Sequence, residues 1–212
     1  MGSKTPVEMK TMYGAYHEAG HIVIAAVRGL TVRPDGLMVI SNGDGLCVYC
    51  TQPDESDPSR VNVVVSSFAG YFAAKRFCEE HSCPNLLDPL PQTSPDWKDA
   101  RTVIATFSEE YLAGEGPMAV LLRLEKESKH LVAQYWGAIE ALAIALLAKD
   151  PEPMRPLKTG EVWSNETGPV RYMDGGEAVE ILARHGIAAT CKSRIMGKPD
   201  LVPDFQDALK AD

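Results

Sequence analysis

The chain has 212 residues, 45% hydrophobic and 24% charged, the balance of an ordinary globular protein with one domain or at most two small ones. Lys and Arg number 21 against 29 Asp and Glu, a net charge of -8 without any basic run, which argues against a nucleic-acid or anionic-membrane surface. Apolar runs stop short of the roughly 18 to 20 residues that span a bilayer. MGSKTPVEMK lacks the apolar core of a signal peptide, and five cysteines make no disulfide framework, so the expected setting is cytoplasmic and reducing.

Thr5-Pro6-Val7-Glu8 combines a capping box with proline at the first helical position, and predicts a helix over about 6 to 28 that Gly29 ends. VRPDGLMVI and GLCVYC flank Ser41-Asn42-Gly43-Asp44-Gly45, a hairpin signal. After an acidic loop over 52 to 59, Asp57-Pro58 reads as the N-cap and first turn of a buried helix through VNVVVSSFAGYFAAKRFCEE. Prolines make a loop of the stretch from Cys83 to Thr93, and Ser94-Pro95 restarts a helix at Asp96 that is expected to last to about Leu112.

Beyond the break at Gly114 to Pro117, apolar spacing from Met118 to Lys149 predicts one long helix, kinked near Gly137. Residues 150 to 172 read as irregular with a short strand or two. Asp174-Gly175-Gly176-Glu177 opens a short helix ending at His185-Gly186, and a tail helix is expected near Phe205 to Lys210. The whole is expected to be an α+β, mainly α fold with a small β-hairpin or short sheet, one domain over 1–212 in which 151–212 forms a C-terminal extension.

The string that carries chemistry is Tyr16-His17-Glu18-Ala19-Gly20-His21, inside the first helix. Residues four apart on a helix lie one above the other, so both imidazoles can converge on one zinc ion. Glu18 is rotated off that pair yet within reach of a water on the metal, the H-E-x-x-H arrangement of zinc hydrolases. A catalytic zinc takes three protein ligands and keeps one open position. Asp96, Asp99, Glu79 and Glu80 are candidates for the third; Asp96 would sit in a first helical turn, where the helix dipole favours its ionised form.

YHEAGHIVIAAV resembles the start of the metallopeptidase domain of the FtsH-type ATP-dependent proteases. Gly45-Leu46-Cys47-Val48-Tyr49, SSFAGYFAAKRF and Ser94-Pro95-Asp96-Trp97-Lys98-Asp99-Ala100 follow in the order of that family's substrate-side strand, its small-residue second helix and the helix bearing its third ligand. The resemblance covers about residues 6–150. It implies a zinc-dependent metalloendopeptidase in which His17, His21 and Asp96 bind Zn2+ and Glu18 is the general base. Leu46, Cys47, Val48 and Tyr49 would pair with an extended polypeptide substrate.

Departures from that family carry implications of their own. There is no G-x-x-x-x-G-K-[ST] string and no spanning helix, so any ATPase would be a separate partner, and Pro95 stands where the family has Asn. The oligomeric state is left open. Two other readings of the same residues are a non-catalytic peptide- or protein-binding module and a zinc hydrolase of a non-peptide amide or ester. Cys47, Cys50, Cys78 and Cys83 read as small buried thiols, because residues three apart on a strand face opposite ways. His81, His130 and His185 read as solvated or helix-end histidines.

Overall fold

In the computed structural model, residues 5–50, 56–87, 91–112, 114–154 and 168–192 are described. Helix α1 spans Pro6–Val27. Its capping box is formed: Glu8 N donates to Thr5 Oγ1 at 3.2 Å and Thr5 N donates to the Glu8 carboxylate at 2.7 Å. Gly29, at φ 80°, turns the chain out of the helix. From Gly14 onward α1 is almost wholly buried, which makes it the central element of the core.

Strands β1 (Thr31–Ile40) and β2 (Gly45–Cys50) form the expected hairpin. Strand β3 (Val170–Met173) pairs with the other side of β1, giving an antiparallel sheet of order β2-β1-β3. A bulge interrupts β1 between Val32 and Leu37. Gly36 has φ 65° there, and a Cβ on it would fall 2.1 Å from the Met173 carbonyl oxygen. The sheet's inner face, with Leu37 and Val39, joins the main core; its outer face forms a small cluster of Met38, Ile40, Val170 and Tyr172.

Helix α2 spans Asp57–His81 and lies against α1. The crossing is close because Gly20 meets small residues: a Cβ there would lie 2.6 Å from Ala73 Cβ and 2.8 Å from the Ala69 carbonyl oxygen. The cap of α2 is Ser56 rather than Asp57, whose carboxylate instead accepts from Ser108 N. Two short 3-10 turns, Pro84–Leu86 and Pro91–Thr93, lead to α3, Pro95–Ile104.

Two expected helices are each broken in two. The helix expected to reach Leu112 stops at Ile104, and α4 (Glu109–Leu112) starts afresh because Ser108 Oγ accepts from Tyr111 N, a new N-cap. The expected long helix is α5 (Pro117–Gln134) and α6 (Trp136–Leu147), bent by 73° at Tyr135 rather than at Gly137. The bend lets α5 pack on α2 while α6 packs on α1. Arg76 holds the corner: it donates to the Ala133 carbonyl freed at the end of α5, and its guanidinium sits 4.4 Å from the Trp136 ring centroid.

Among the described residues no single helix is long and apolar enough to cross a membrane. Helix α7, Gly175–Arg184, starts at Asp174, whose side chain accepts from Gly176 N, and packs on β1 and α6. The fold is therefore α+β and mainly α, with β3 and α7, both beyond residue 150, built into the sheet and its helical cover. The expected tail helix lies outside the described residues.

Candidate metal centre

The two histidines project from α1 toward α2 and α3. Their Nε2 atoms are 3.0 Å apart, and Asp96 Oδ2 lies 3.1 Å from His17 Nε2 and 3.6 Å from His21 Nε2. His17, His21 and Asp96 are thus a group that could hold a metal ion, and the one such group of three among the described residues. Asp96 reaches it from the first turn of α3, where Ser94 Oγ caps the helix by accepting from Trp97 N. Trp97 anchors that turn in the core, its ring 4.6 Å from Phe68.

Each partner fixes a specific atom. Ser66 O can only accept, so its 2.8 Å contact identifies His21 Nδ1 as the donor and leaves Nε2 with a free lone pair in the neutral ring. Burial acts to lower the His21 pKa, but the Asp96 carboxylate, with Glu18 and the Ser66 carbonyl, outweighs it, and the imidazole is pushed up to about 9. Burial likewise acts to raise Asp96, yet His21 and His17 together hold its carboxyl well below the usual carboxylate range. His21 and Asp96 stabilise each other's ionised forms, and a cation placed among the donors would do the same for the carboxylate.

Space for the cluster comes from α2. A Cβ at Gly70 would lie 2.3 Å from His21 Nε2 and 2.7 Å from His17 Nε2, so only glycine leaves the two ring nitrogens unobstructed. Sequence reading passed over Gly70 as one small residue among several. The signal available was a glycine in a helix interior, where it costs about 1 kcal/mol relative to alanine.

Glu18 lies beside the cluster and outside it, 6% exposed. Burial pushes its carboxyl up, although His17 and His21 partly offset this. A Cβ at Gly45 would sit 2.7 Å from Glu18 Oε1, which places β2 directly against the carboxylate. Gly14 seats the hairpin turn in turn, since a Cβ there would be 2.1 Å from Gly43 O.

The alternative third ligands are elsewhere. Asp99 is half-buried on α3, its carboxyl pushed up by burial and by Asp96, and it is not among the converging donors. Glu79 and Glu80 are exposed near the end of α2, with Glu80 paired to Arg76 at 2.9 Å. Of the substrate-strand residues, Cys47 and Tyr49 pack inward on the main core and Leu46 outward on the small cluster; Val48 faces the β1 bulge. Burial, and after it the neighbouring Glu18, pushes the Cys47 thiol well up, and burial pushes the Tyr49 phenol up.

The remaining histidines take structural places: His81 stacks on Phe77 and contacts its carbonyl at 3.0 Å, His130 is exposed on α5, and His185 caps α7. In comparisons with known proteins, the chain matches no family model and no curated sequence.

Proposed function

We propose that the protein is a zinc-dependent metalloendopeptidase that hydrolyses peptide bonds of unfolded or flexible polypeptides, the activity implied by the resemblance of its H-E-A-G-H helix to FtsH-type peptidase domains. The observation that carries this reading is the spacing of the three donors beside a separate buried carboxylate. Zinc bonds of about 2.0–2.1 Å in a tetrahedron set ligand atoms roughly 3.3 Å apart. The separations of 3.0, 3.1 and 3.6 Å bracket that value. Two imidazoles and one carboxylate are a donor set that zinc accepts along with other first-row divalent ions, and the Gly70 cradle keeps carbon out of the position between them.

His17, His21 and Asp96 would hold the ion. When bound, zinc supplies a Lewis acid that polarises a carbonyl and lowers the pKa of water toward neutrality. Ser66 O keeps the His21 ring turned so that Nε2 faces the site. Glu18 takes a proton from the attacking water at its carboxylate oxygen and delivers it to the leaving amine, its burial favouring the protonated form it must pass through. Strand β2 is the edge of the sheet, with β1 on one side and no strand on the other among the described residues. Leu46 to Tyr49 offer that edge to an extended chain, with affinity through main-chain bonds and little sequence selectivity. Folded substrates keep those backbone groups in their own sheets and helices.

The test is cleavage of unfolded casein without ATP by protein carrying one zinc per chain. Activity is expected, abolished by 1,10-phenanthroline and restored by added zinc. Glu18→Gln is expected to keep the metal and lose about 10²- to 10⁴-fold in kcat. Zinc-loaded wild type that cleaves no unfolded protein would contradict the peptidase and leave a binding module on the same scaffold.

A further inference from the structure

Helix α2 ends on a turn that folds one cysteine back toward another. Ser82, at φ 54° and ψ 44°, is the one non-glycine residue with positive φ among the described residues, and it reverses the chain after His81. Cys83 N then donates to the Cys78 carbonyl at 3.0 Å. This six-residue closure is the hydrogen bond of a Schellman motif, in which the side chains at the two ends commonly meet. Here both ends are cysteines. Ordinary bond lengths and that one 3.0 Å contact leave their Cα atoms at most about 6.5 Å apart, within the roughly 4.4–6.8 Å that a disulfide spans.

Both side chains lie on the same core. Cys78 is 1% exposed inside the main hydrophobic cluster, half-buried Cys83 packs against that cluster, and each is a free thiol. Burial, and after it the neighbouring Cys83, pushes the Cys78 thiol up to about 12. Cys83 is fixed on its other side as well, where Leu86 N donates to its carbonyl at 3.1 Å.

We propose that Cys78 and Cys83 are a reversible dithiol–disulfide pair that clasps the C-terminal end of α2, closed by exchange with a small-molecule disulfide. The role needs neither the metal nor the peptidase activity. Cys83, the more exposed sulfur, attacks as thiolate and breaks the S–S bond of the reagent, releasing one small thiolate. Cys78 Sγ then gives up its proton, attacks Cys83 Sγ and releases the second. The two cysteines lose two electrons and two protons, and the small disulfide becomes two thiols. A metal site at this corner would need a third donor. His81 is instead stacked on Phe77 at 4.3 Å, and among the described residues the two thiols join no group of three donors.

The test equilibrates the full chain with mixtures of reduced and oxidised glutathione and blocks the remaining thiols. The tryptic peptide 77–98, cut after Arg76 and Lys98, carries these two cysteines and no other, and is then weighed. From folded protein it is expected as an internal disulfide, about 2 Da lighter than the dithiol, and dithiothreitol is expected to reverse the change. At fixed reduced glutathione, closure in folded protein is expected to need about 10- to 100-fold less oxidised glutathione than in the urea-unfolded chain, because the fold already holds the two ends together. Cys78→Ser is expected to stop at one glutathione on Cys83. A wild-type peptide that stays a dithiol, that carries glutathione on Cys83 without closing, or that closes no more readily folded than unfolded would overturn the pair.

Discussion

Helices α1 and α3 both supply donors to the candidate metal centre, and they do so by different means. In α1, His17 and His21 meet because they are four residues apart on one capped helix, a relation that survives wherever the helix goes. In α3, Asp96 arrives only because Trp97 is buried against Phe68 and because α2 lies between with a glycine at the crossing point. The first arrangement is local chemistry, and the second is packing. Substitutions should therefore be severe on α1 through lost ligation, and severe on α2 through steric effects although no ligand is touched.

The largest effect is expected from His21→Ala. It removes one ligand and the side-chain hydrogen bond to the Ser66 carbonyl, worth about 0.5–1.5 kcal/mol. Elemental analysis should find no bound zinc, and thermal unfolding should show a lower Tm. Full zinc occupancy would refute the α1 half of the site.

Gly70→Ala comes next. Its methyl group would meet two ring nitrogens at 2.3 and 2.7 Å, so zinc affinity is expected to fall at least as far as for loss of a ligand's support, about 100-fold. Overpacking should cost about 1–3 kcal/mol of stability in urea unfolding. Zinc titration of the variant checks the first number; wild-type affinity there would mean the cradle does not face the metal.

Asp96→Asn keeps the shape of the third ligand and removes its charge. A drop of about 10- to 100-fold in zinc affinity is expected, against none for Asp99→Asn. The reverse order in competition titrations would move the third ligand within α3. The smallest effect belongs to Gly137→Ala, on an exposed part of α6 where an added Cβ meets nothing within 4 Å. It should raise stability by about 0.5–1 kcal/mol and leave zinc binding unchanged, the opposite sign to Gly70→Ala in the same chemical change.

How much of this was readable from the residues follows the same division between local and distant causes. Helix α1, the hairpin and α7 were readable to within a residue or two, since Thr5-Glu8, Gly43 and Asp174 act on their own neighbours. The break before α4 had a signal that was passed over, Ser108 followed by Glu109 and Glu110, an N-cap with acids in the first turn. The bend at Tyr135 had no such local mark. Neither proline nor Gly137 makes it; Arg76 on another helix does, together with the need of α5 and α6 to cover different partners.

At the site, His17, Glu18 and His21 were readable from spacing, and Asp96 came from the resemblance, with Asp99, Glu79 and Glu80 left as rivals. The roles of Gly70 and Gly45 were out of reach because a missing Cβ has meaning only beside the atom it would strike. Leu46 to Tyr49 are legible as a strand from their alternation, whereas the place of Cys47 beside Glu18 depends on how β2 lies over α1.

The central claim is that His17, His21 and Asp96 hold one zinc ion with an open fourth position. Zinc K-edge X-ray absorption on the purified, zinc-loaded protein tests it most directly. The expected spectrum has one four-coordinate zinc per chain, with imidazole and oxygen neighbours at about 2.0–2.1 Å and no sulfur shell. Zinc surrounded by sulfur at about 2.3 Å, or a spectrum unchanged in the His17→Ala, His21→Ala double variant, would place the metal on other residues and contradict the account.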